Sequence, residues 1–263
     1  MTTLNIRISQ EHIIFCAYER LKNMMPEYEI FDNNPNISLN ANLHDAAKTV
    51  ALAKGEYNSV DVYTDGPATL VPLREFEEED AADLFFFNYP SLKQRHKVFY
   101  DTLPYLHTLL LFSEDKDVCR SLKDYFPLCK LHSTMTSLIL QFVSRYPFSL
   151  TKPRLYCYIC ENRLWLLVVK EAKLEFLNSY VLHNDADALY YIAAIAQRMG
   201  ITPTDERVWI SGTTREASTL ANSLHKIHLN AFLMNDAEEL SHHPVSIING
   251  FPYDLKVVLL KAY

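Results

Sequence analysis

Two segments of this chain repeat the same pattern of apolar and polar residues, and this repeat limits the possible folds more than any other sequence feature. Leu4 to Tyr18 reads LNIRISQEHIIFCAY and Leu155 to Val169 reads LYCYICENRLWLLVV, and the two align without a gap at a constant offset of 151 residues. Each is typical of a strand, a short polar turn and a second strand. The sequence therefore predicts two halves that each begin with a hairpin, with Ile8 equivalent to Ile159.

The elements that follow each hairpin recur in the same order. In the second half the patterns predict a third strand, a helix, a strand, a helix and a last strand: Lys173–Leu182, Ala186–Met199, Arg207–Ser211, Arg215–Lys226 and His228–Leu233. In the first half Glu27–Phe31 is matched with Lys173–Leu177 as strand three, Leu43–Lys54 is the helix and Ser59–Thr64 is strand four. Both halves are thus predicted to be α/β, with the order β-β-β-α-β-α-β.

The first half also carries an insert, at about residues 67–105, that has no counterpart in the second. It is predicted to hold a helix near Glu77–Asn88 and a strand near Lys97–Asp101, after which His107–Phe112 returns to the shared core. Two prolines in Pro147–Pro153 mark the join. We expect two lobes, residues 1–150 and 151–263.

Composition and charge exclude several classes of function. The net charge is -7, which argues against a nucleic-acid or anionic-membrane surface. The longest apolar runs are strand-sized and the N-terminus lacks a signal-peptide pattern, so we expect a cytoplasmic protein without membrane insertion. The five cysteines favour free thiols. Cys157 and Cys160 lie on a predicted strand and face opposite sides, and no motif suggests a metal site.

Two copies of this element order, with an insert in the first copy, resemble the actin-like ATPase superfamily, whose lobes are ribonuclease H-like. The small insert is most similar in layout to the pilus-type and division-type actin-like proteins. More narrowly, the chain resembles an uncharacterised family of Bacteroidetes proteins with that fold. The resemblance covers nearly the whole chain and rests on element order.

The resemblance implies where a nucleotide would bind. In the superfamily both hairpin turns carry Asp-x-Gly, whose glycines admit phosphate and whose aspartates organise Mg²⁺, and a Gly-Gly turn after the late strand faces the adenosine. The matching positions in this sequence are Ser9-Gln10-Glu11, Cys160-Glu161-Asn162 and Ser211-Gly212-Thr213. Both Asp-x-Gly motifs are missing, so we interpret these turns as vestigial.

The leading hypothesis is a non-catalytic actin-like protein that needs no cofactor and acts through protein–protein contacts. The insert is the candidate contact surface, because it holds an apolar cluster after an acidic run: Phe85, Phe86, Phe87 and Tyr89. Two alternatives stay open, a divergent Mg-ATP-binding ATPase or small-molecule kinase that uses Glu11 or Glu161, and a module that binds another small ligand in the cleft between lobes. A homodimer also stays open, and the insert cluster has a competing explanation as a cap on its own lobe.

Overall fold

The computed structural model describes residues 2–19, 25–144, 152–171, 173–202, 208–212, 214–227, 229–240, 243–248 and 250–260. The chain divides into two compact units between Ser137 and Leu138, with short C-terminal segments returning to the first unit. The predicted junction between residues 150 and 151 lies outside the described residues and stays a prediction.

The first unit contains a five-stranded mixed sheet, an insert and three complete helices, and a fourth helix begins in it. Its strands are β1 (Thr3–Ile8), β2 (His12–Tyr18), β3 (Glu27–Asp32), β4 (Ser59–Thr64), β5 (Ala68–Pro72), β6 (His96–Leu103), β7 (Thr108–Asp115) and β8 (Lys130–Ser133). Its helices are α1 (Leu39–Thr49), α2 (Ala81–Asn88), α3 (Lys116–Tyr125) and the start of α4 (Thr134–Ser144). The five-stranded sheet has the order β3-β2-β1-β4-β8.

The second unit contains a five-stranded sheet of the same design. Its strands are β9 (Arg154–Cys160), β10 (Arg163–Lys170), β11 (Lys173–Val181), β12 (Val208–Gly212) and β13 (Ala231–Leu233). Its helices are α5 (Asp185–Arg198), α6 (Thr214–Lys226), α7 (Asp236–Glu239) and most of α8 (Tyr253–Leu260). The sheet order β11-β10-β9-β12-β13 repeats that of the first unit, which confirms the predicted duplicated α/β fold.

The register of the two hairpins confirms the predicted equivalence of Ile8 and Ile159. Ile8 is paired with Ile13 across β1 and β2, and Ile159 is paired with Leu164 across β9 and β10. Ile13 and Leu164 are themselves one repeat apart, so the gapless alignment holds through both turns. In each unit the alternate apolar side chains of these strands pack under the helices, around Ile6 and Phe15 in the first and Leu164 and Leu166 in the second.

The predicted match of the third strands is wrong. Ala17 is paired with Glu27 and the equivalent Val168 is paired with Phe176, so Glu27 corresponds to Phe176 and not to Lys173. β11 begins at Lys173, three residues before the equivalent of Glu27, and one of these residues is taken up by an irregularity between Val168 and Val169, where the ladder of β10 and β11 shifts by one residue. β11 is also longer than β3, so the two strands cannot be aligned from their first residues.

The insert is larger than predicted, and it forms a sheet of its own. β5, β7 and β6 make a three-stranded antiparallel sheet in that order, with α2 packed on one face. His107–Phe112 is expected as a core strand, but its residues from Thr108 onward belong to β7 of the insert sheet, so the insert extends to Asp115. A buried strand reads as an apolar run in either sheet, so the sequence pattern does not distinguish them.

Two helices begin at positions that the sequence does not predict. α1 begins at Leu39 and not at Leu43, because the side chain of Ser38 accepts a hydrogen bond from the N–H of Ala41 and caps the helix. α2 begins at Ala81, after a short 3₁₀ turn over the acidic residues Glu78–Asp80. Among the described residues, no helix is long and apolar enough to span a membrane.

A buried carboxylate connects the insert to the core of the first unit. Asp101 lies on β6 and its side chain is 7% exposed. Its Oδ2 accepts hydrogen bonds from the N–H of Ser133 at 2.9 Å and the hydroxyl of Thr136 at 2.5 Å, and its Oδ1 lies 2.8 Å from Nδ1 of His132. Burial by itself would lower the pKa of His132, but the hydrogen bond and charge of Asp101, with the charge of Asp61, raise it overall.

We predict that Asp101→Asn lowers the free energy of unfolding most at acid pH. A histidine whose pKa is raised by folding stabilises the folded state when it is protonated. This stabilisation is complete below the unfolded-state pKa, near 6.5, and is lost as the pH rises through the folded-state pKa. The loss should be about 2 kcal/mol at pH 5.5 and smaller at pH 8.5, as measured by urea denaturation. The exposed pair of His12 and Asp32, whose Nδ1 and Oδ1 atoms lie 3.0 Å apart, provides the control: Asp32→Asn should change stability little. A loss that is the same at both pH values would contradict the prediction.

Gly212 ends β12 at a point where two backbones lie unusually close. Its φ is +135°, a conformation that L residues rarely adopt, and a Cβ added there would lie 2.1 Å from the carbonyl oxygen of Ile159 on β9. Parallel pairing of Ile159 with Gly212 brings these atoms together. The requirement for glycine at this position is therefore set by packing within the second unit.

We predict that Gly212→Ala destabilises the second unit far more than Gly200→Ala. Gly200 also has a positive φ, +67°, but nothing lies within 4 Å of an added Cβ. Its replacement should lower the free energy of unfolding by about 1 kcal/mol through backbone strain alone. Gly212→Ala adds a clash with backbone, so a loss above about 3 kcal/mol is expected in urea denaturation. Equal losses in the two variants would show that the close approach is unimportant.

Candidate functional site

The first hairpin turn, Ser9-Gln10-Glu11, is closed by its own hydrogen bonds. The N–H and the hydroxyl of Ser9 both donate to the carbonyl oxygen of His12, at 3.0 and 2.9 Å, and the Ser9 hydroxyl accepts from the N–H of His12 at 3.2 Å. The carboxylate of Glu11 lies 3.9 Å from Nε2 of His12. At most two N–H groups of residues 9–11 are left for an anion, which does not fit a phosphate clamp.

Asn33 holds this turn from the end of β3. Its side-chain amide donates to the carbonyl oxygens of Ser9 at 3.0 Å and Gln10 at 3.1 Å. Its backbone N–H donates to the carbonyl oxygen of Glu11 at 2.8 Å. Three carbonyl oxygens of the turn are thus fixed by one residue. Sequence reasoning missed Asn33, although the Asn33-Asn34-Pro35 run after strand three is a turn signal.

The second hairpin turn, Cys160-Glu161-Asn162, borders a cavity of about 250 Å³. Glu161 has a φ of +55°, which costs an L residue about 1 kcal/mol. The carbonyl oxygen of Asn162 accepts a hydrogen bond from the N–H of Leu182 at 2.7 Å. The polar residues that line the cavity come from the turn, from the two residues before α5 and from the body of α6: Glu161, Asn162, His183, Asn184, Thr219 and Ser223.

The helix start beside this cavity is already capped. Asn184 accepts from the N–H groups of Ala186 and Asp187, and the carboxylate of Asp187 accepts from the N–H groups of His183 and Asn184. The backbone hydrogen bond from His183 lowers the pKa of Asp187, despite an opposing effect of desolvation. Two carboxylates, Glu161 on the turn and Asp187 on the helix, therefore lie in this region, which is unfavourable for a phosphate.

The third predicted turn is described only in part. Gly212 is explained by its close approach to Ile159, and its predicted place beneath an adenosine stays a prediction. Thr213 lies outside the described residues. Within the described residues, no group of three or more histidine, cysteine, aspartate or glutamate side chains could hold a metal ion.

The cysteines are free thiols, as the sequence predicts. Cys157 and Cys160 are both buried in β9, and Cys157 faces the core beneath α5 and α6. Burial raises the pKa of Cys157, and it raises the pKa of Cys16 to about 12. These thiols are protonated at neutral pH and are unsuited to nucleophilic chemistry.

The aromatic cluster of the insert divides into buried and exposed residues. Phe85 is completely buried against Val71 and Leu111, and the Tyr89 hydroxyl donates to the carbonyl oxygen of Ala68 at 2.9 Å. These two residues hold α2 on the insert sheet. Phe86 is half-buried and Phe87 is 87% exposed. Of the four predicted contact residues, Phe87 is exposed, Phe86 and Tyr89 are half-buried and Phe85 is buried.

A groove, named here the β6 groove, lies beside these residues. It has a volume of about 650 Å³ and is bordered by α2, β6 and the start of α3. Its apolar part is formed by Phe86, Val98 and Tyr100, and its charged part includes Glu78, Glu79, Asp83, Lys93, Lys97, Lys116 and Arg120. The insert therefore joins exposed aromatic surface to charges of both signs.

Comparisons with known structures confirm the fold. A crystal structure of a protein with an actin-like ATPase fold and unknown function from Bacteroides thetaiotaomicron matches with a TM-score of 0.84 at 23% identity, over 99% of this chain and 96% of that chain. The PilM–PilN type IV pilus biogenesis complex matches with a TM-score of 0.56 at 11% identity, over 90% of this chain and 89% of that chain. At such identities the likeness shows the fold alone.

Sequence comparisons place the chain in a family. A comparison with curated protein sequences finds no match. The model of a family described as a protein of unknown function, DUF3822, matches residues 1–231. Since that match spans most of the chain, and the fold agrees, this protein belongs to the DUF3822 family.

Proposed function

We propose that this protein is a non-catalytic, cytoplasmic actin-like protein that acts through protein contacts made by its insert. The observation that carries the proposal is the closure of the first hairpin turn, where the N–H and the hydroxyl of Ser9 both donate to the carbonyl oxygen of His12 and are therefore not left for a phosphate. A protein of this fold that has no phosphate clamp can still act through contacts made by its surface. The net charge of -7 favours a protein partner over a nucleic acid.

Two further observations support the insert as the contact surface. The PilM–PilN structure shows a protein of this fold in a complex with another protein, and we carry that mode of action to this chain by analogy. The insert also exposes Phe87, and the preceding residue of α2, Phe86, lines the β6 groove. Aromatic residues at the centre of a charged rim are typical of protein interfaces.

We predict that Phe87→Ser removes a partner and leaves the fold intact, because the side chain is 87% exposed. The measurements are the melting temperature and the proteins that co-purify with the tagged chain. Phe85→Ser should instead lower the free energy of unfolding by about 3–5 kcal/mol, since Phe85 is buried.

A matched control is Tyr190→Ser, which removes another exposed aromatic side chain, on α5. It should change neither stability nor partners. Recovery of the same partners with the wild type and with Phe87→Ser would contradict a contact at this residue, and the explanation of the insert as a cap would then be favoured.

A second candidate, a divergent Mg-ATP-binding ATPase or small-molecule kinase, is favoured only by the cavity beside Glu161 and Asn162. Calorimetric titration with MgATP and MgADP separates the two candidates. We expect neither binding heat nor ATP hydrolysis above the buffer background. Turnover that Glu11→Gln or Glu161→Gln abolishes would overturn the proposal and establish the second candidate.

A further inference from the structure

The insert sheet ends in a strand whose outer edge is not paired with another strand in the described part of the chain. β6 is at the edge of the sheet β5-β7-β6. In an antiparallel pair, hydrogen-bonded and non-hydrogen-bonded residues alternate, and the latter direct N–H and C=O outward. The N–H of Lys116 donates to the carbonyl oxygen of Arg95, which places this pair among the hydrogen-bonded ones. The residues that direct their backbone groups away from β7 are therefore His96, Val98, Tyr100 and Thr102.

A second backbone hydrogen bond gives the same assignment of inward and outward residues. The N–H of Leu73 donates to the carbonyl oxygen of His107, so the odd residues of β7 are bonded to the β5 side and the even residues to β6. Among the described residues, no backbone bond outside the regular elements involves His96, Val98 or Tyr100. This edge is a row of donors and acceptors with the spacing that a further strand requires.

The β6 groove follows this edge. It is lined by His96, Lys97, Val98 and Tyr100, residues whose side chains point alternately to the two faces of the sheet. The groove thus surrounds the edge of the strand, with α2 on one side and the start of α3 on the other. From residue 96 to residue 100 the edge extends about 13 Å, the length of a strand of about five residues.

The charges of the groove differ between its two ends. Near His96 the ammonium of Lys116 donates to the carbonyl oxygen of Gln94 at 2.8 Å, and Lys97 also lines the groove. Lys93 is paired with Asp83 at 3.6 Å, so Lys97 and Lys116 make this end basic. At the other end the ring of Phe76 lies 5.2 Å from that of Tyr100. Glu78 and Glu79 follow Phe76 closely in sequence and line the groove. A ligand with opposite charges at its two ends would complement this arrangement.

We propose that the β6 groove binds an extended peptide segment of a partner protein, which adds to β6 as a fourth strand. The segment carries apolar side chains at alternate positions, which pack on Phe86 and Val98. It carries an acidic residue at the His96 end and a basic residue at the end near Glu78 and Glu79. This deepens the proposed function, on which it rests, by naming the chemistry of the partner. Strand addition of this kind uses main-chain bonds for affinity and side-chain pockets for specificity.

A second copy of the chain fits the groove less well than a single strand. The edge lies between α2 and α3, so the β6 of a second copy would bring the same two helices against those of the first. A single extended segment has no such flanking helices. Antiparallel addition, the commoner pairing, places the amino end of the peptide at Tyr100 and its carboxyl end at His96.

The test selects binders from a phage-displayed library of random nonapeptides on the full chain. We expect the selected sequences to share alternate apolar residues, a basic residue towards the amino end and an acidic residue towards the carboxyl end. A synthetic peptide of the selected sequence should slow hydrogen exchange of the Val98 and Tyr100 amides. The amides of Phe99 and Asp101, already bonded to β7, should change little. Selected peptides that share no such pattern, or that leave the Val98 and Tyr100 amides unprotected, would overturn the proposal.

Two matched pairs of variants separate binding at the edge from loss of fold. Val98→Pro removes an outward N–H within the groove, and Thr102→Pro removes one outside it; both keep the bonds to β7. Only Val98→Pro should weaken peptide binding, by about tenfold or more. Lys116→Glu should weaken it likewise and be rescued by a peptide whose acidic residue is replaced by lysine, whereas Lys123→Glu, in the last turn of α3, should have no effect. Equal binding to all four variants would overturn the proposal.

Sedimentation equilibrium decides between a partner segment and a second copy. A dimer that Val98→Pro converts to a monomer would show that a second copy occupies the edge, and would overturn the proposal. If partner recovery depends on Phe87 but no peptide protects the Val98 amide, the insert is a contact surface that does not add a strand. The proposed function would then stand and this inference alone would fail.

Discussion

The carboxylate of Asp101 joins the insert to the core of the first unit, and the position of β6 depends on it. It lies on β6, an element of the insert, but its hydrogen bonds go to Ser133 and Thr136 at the end of the core sheet and the start of α4. Buried groups of this kind are costly to leave without partners, so the arrangement is all or none. One end of β6 is therefore fixed to the core, and the other end is left to form an edge.

The two units share one framework and use it differently. Both sheets have the same strand order, and both hairpins keep the same register at Ile8 and Ile159. The first unit adds the insert after β4, whereas in the second the hairpin turn borders a cavity. The first turn is held from outside the hairpin by Asn33, whose side-chain amide donates to the carbonyl oxygens of Ser9 and Gln10.

The sequence predicts well those features that local periodicity encodes, and less well those that depend on distant contacts. The hairpins and the fold class could be predicted because alternation of apolar residues continues through a short turn. The third-strand match fails because β11 begins three residues before the equivalent of Glu27, and neither this extra length nor the shift at Val168 is visible in the local pattern. The prediction of where the insert ends is wrong because β7 is as apolar as a core strand. The role of Asn33 could not be predicted, since its partners are more than twenty residues away. The burial of Phe85 and the exposure of Phe87 could not be predicted either, because they depend on the orientation of α2.

The close approach at Gly212 has a consequence for how glycine in this fold is interpreted. In this chain the turn glycines that would admit phosphate are gone, yet the glycine after the late strand persists where a side chain would meet the backbone of Ile159. Its retention needs no ligand, because steric exclusion alone is sufficient. A relative that has lost every nucleotide contact would still be expected to keep this glycine, so its presence does not report on the history of binding at the site.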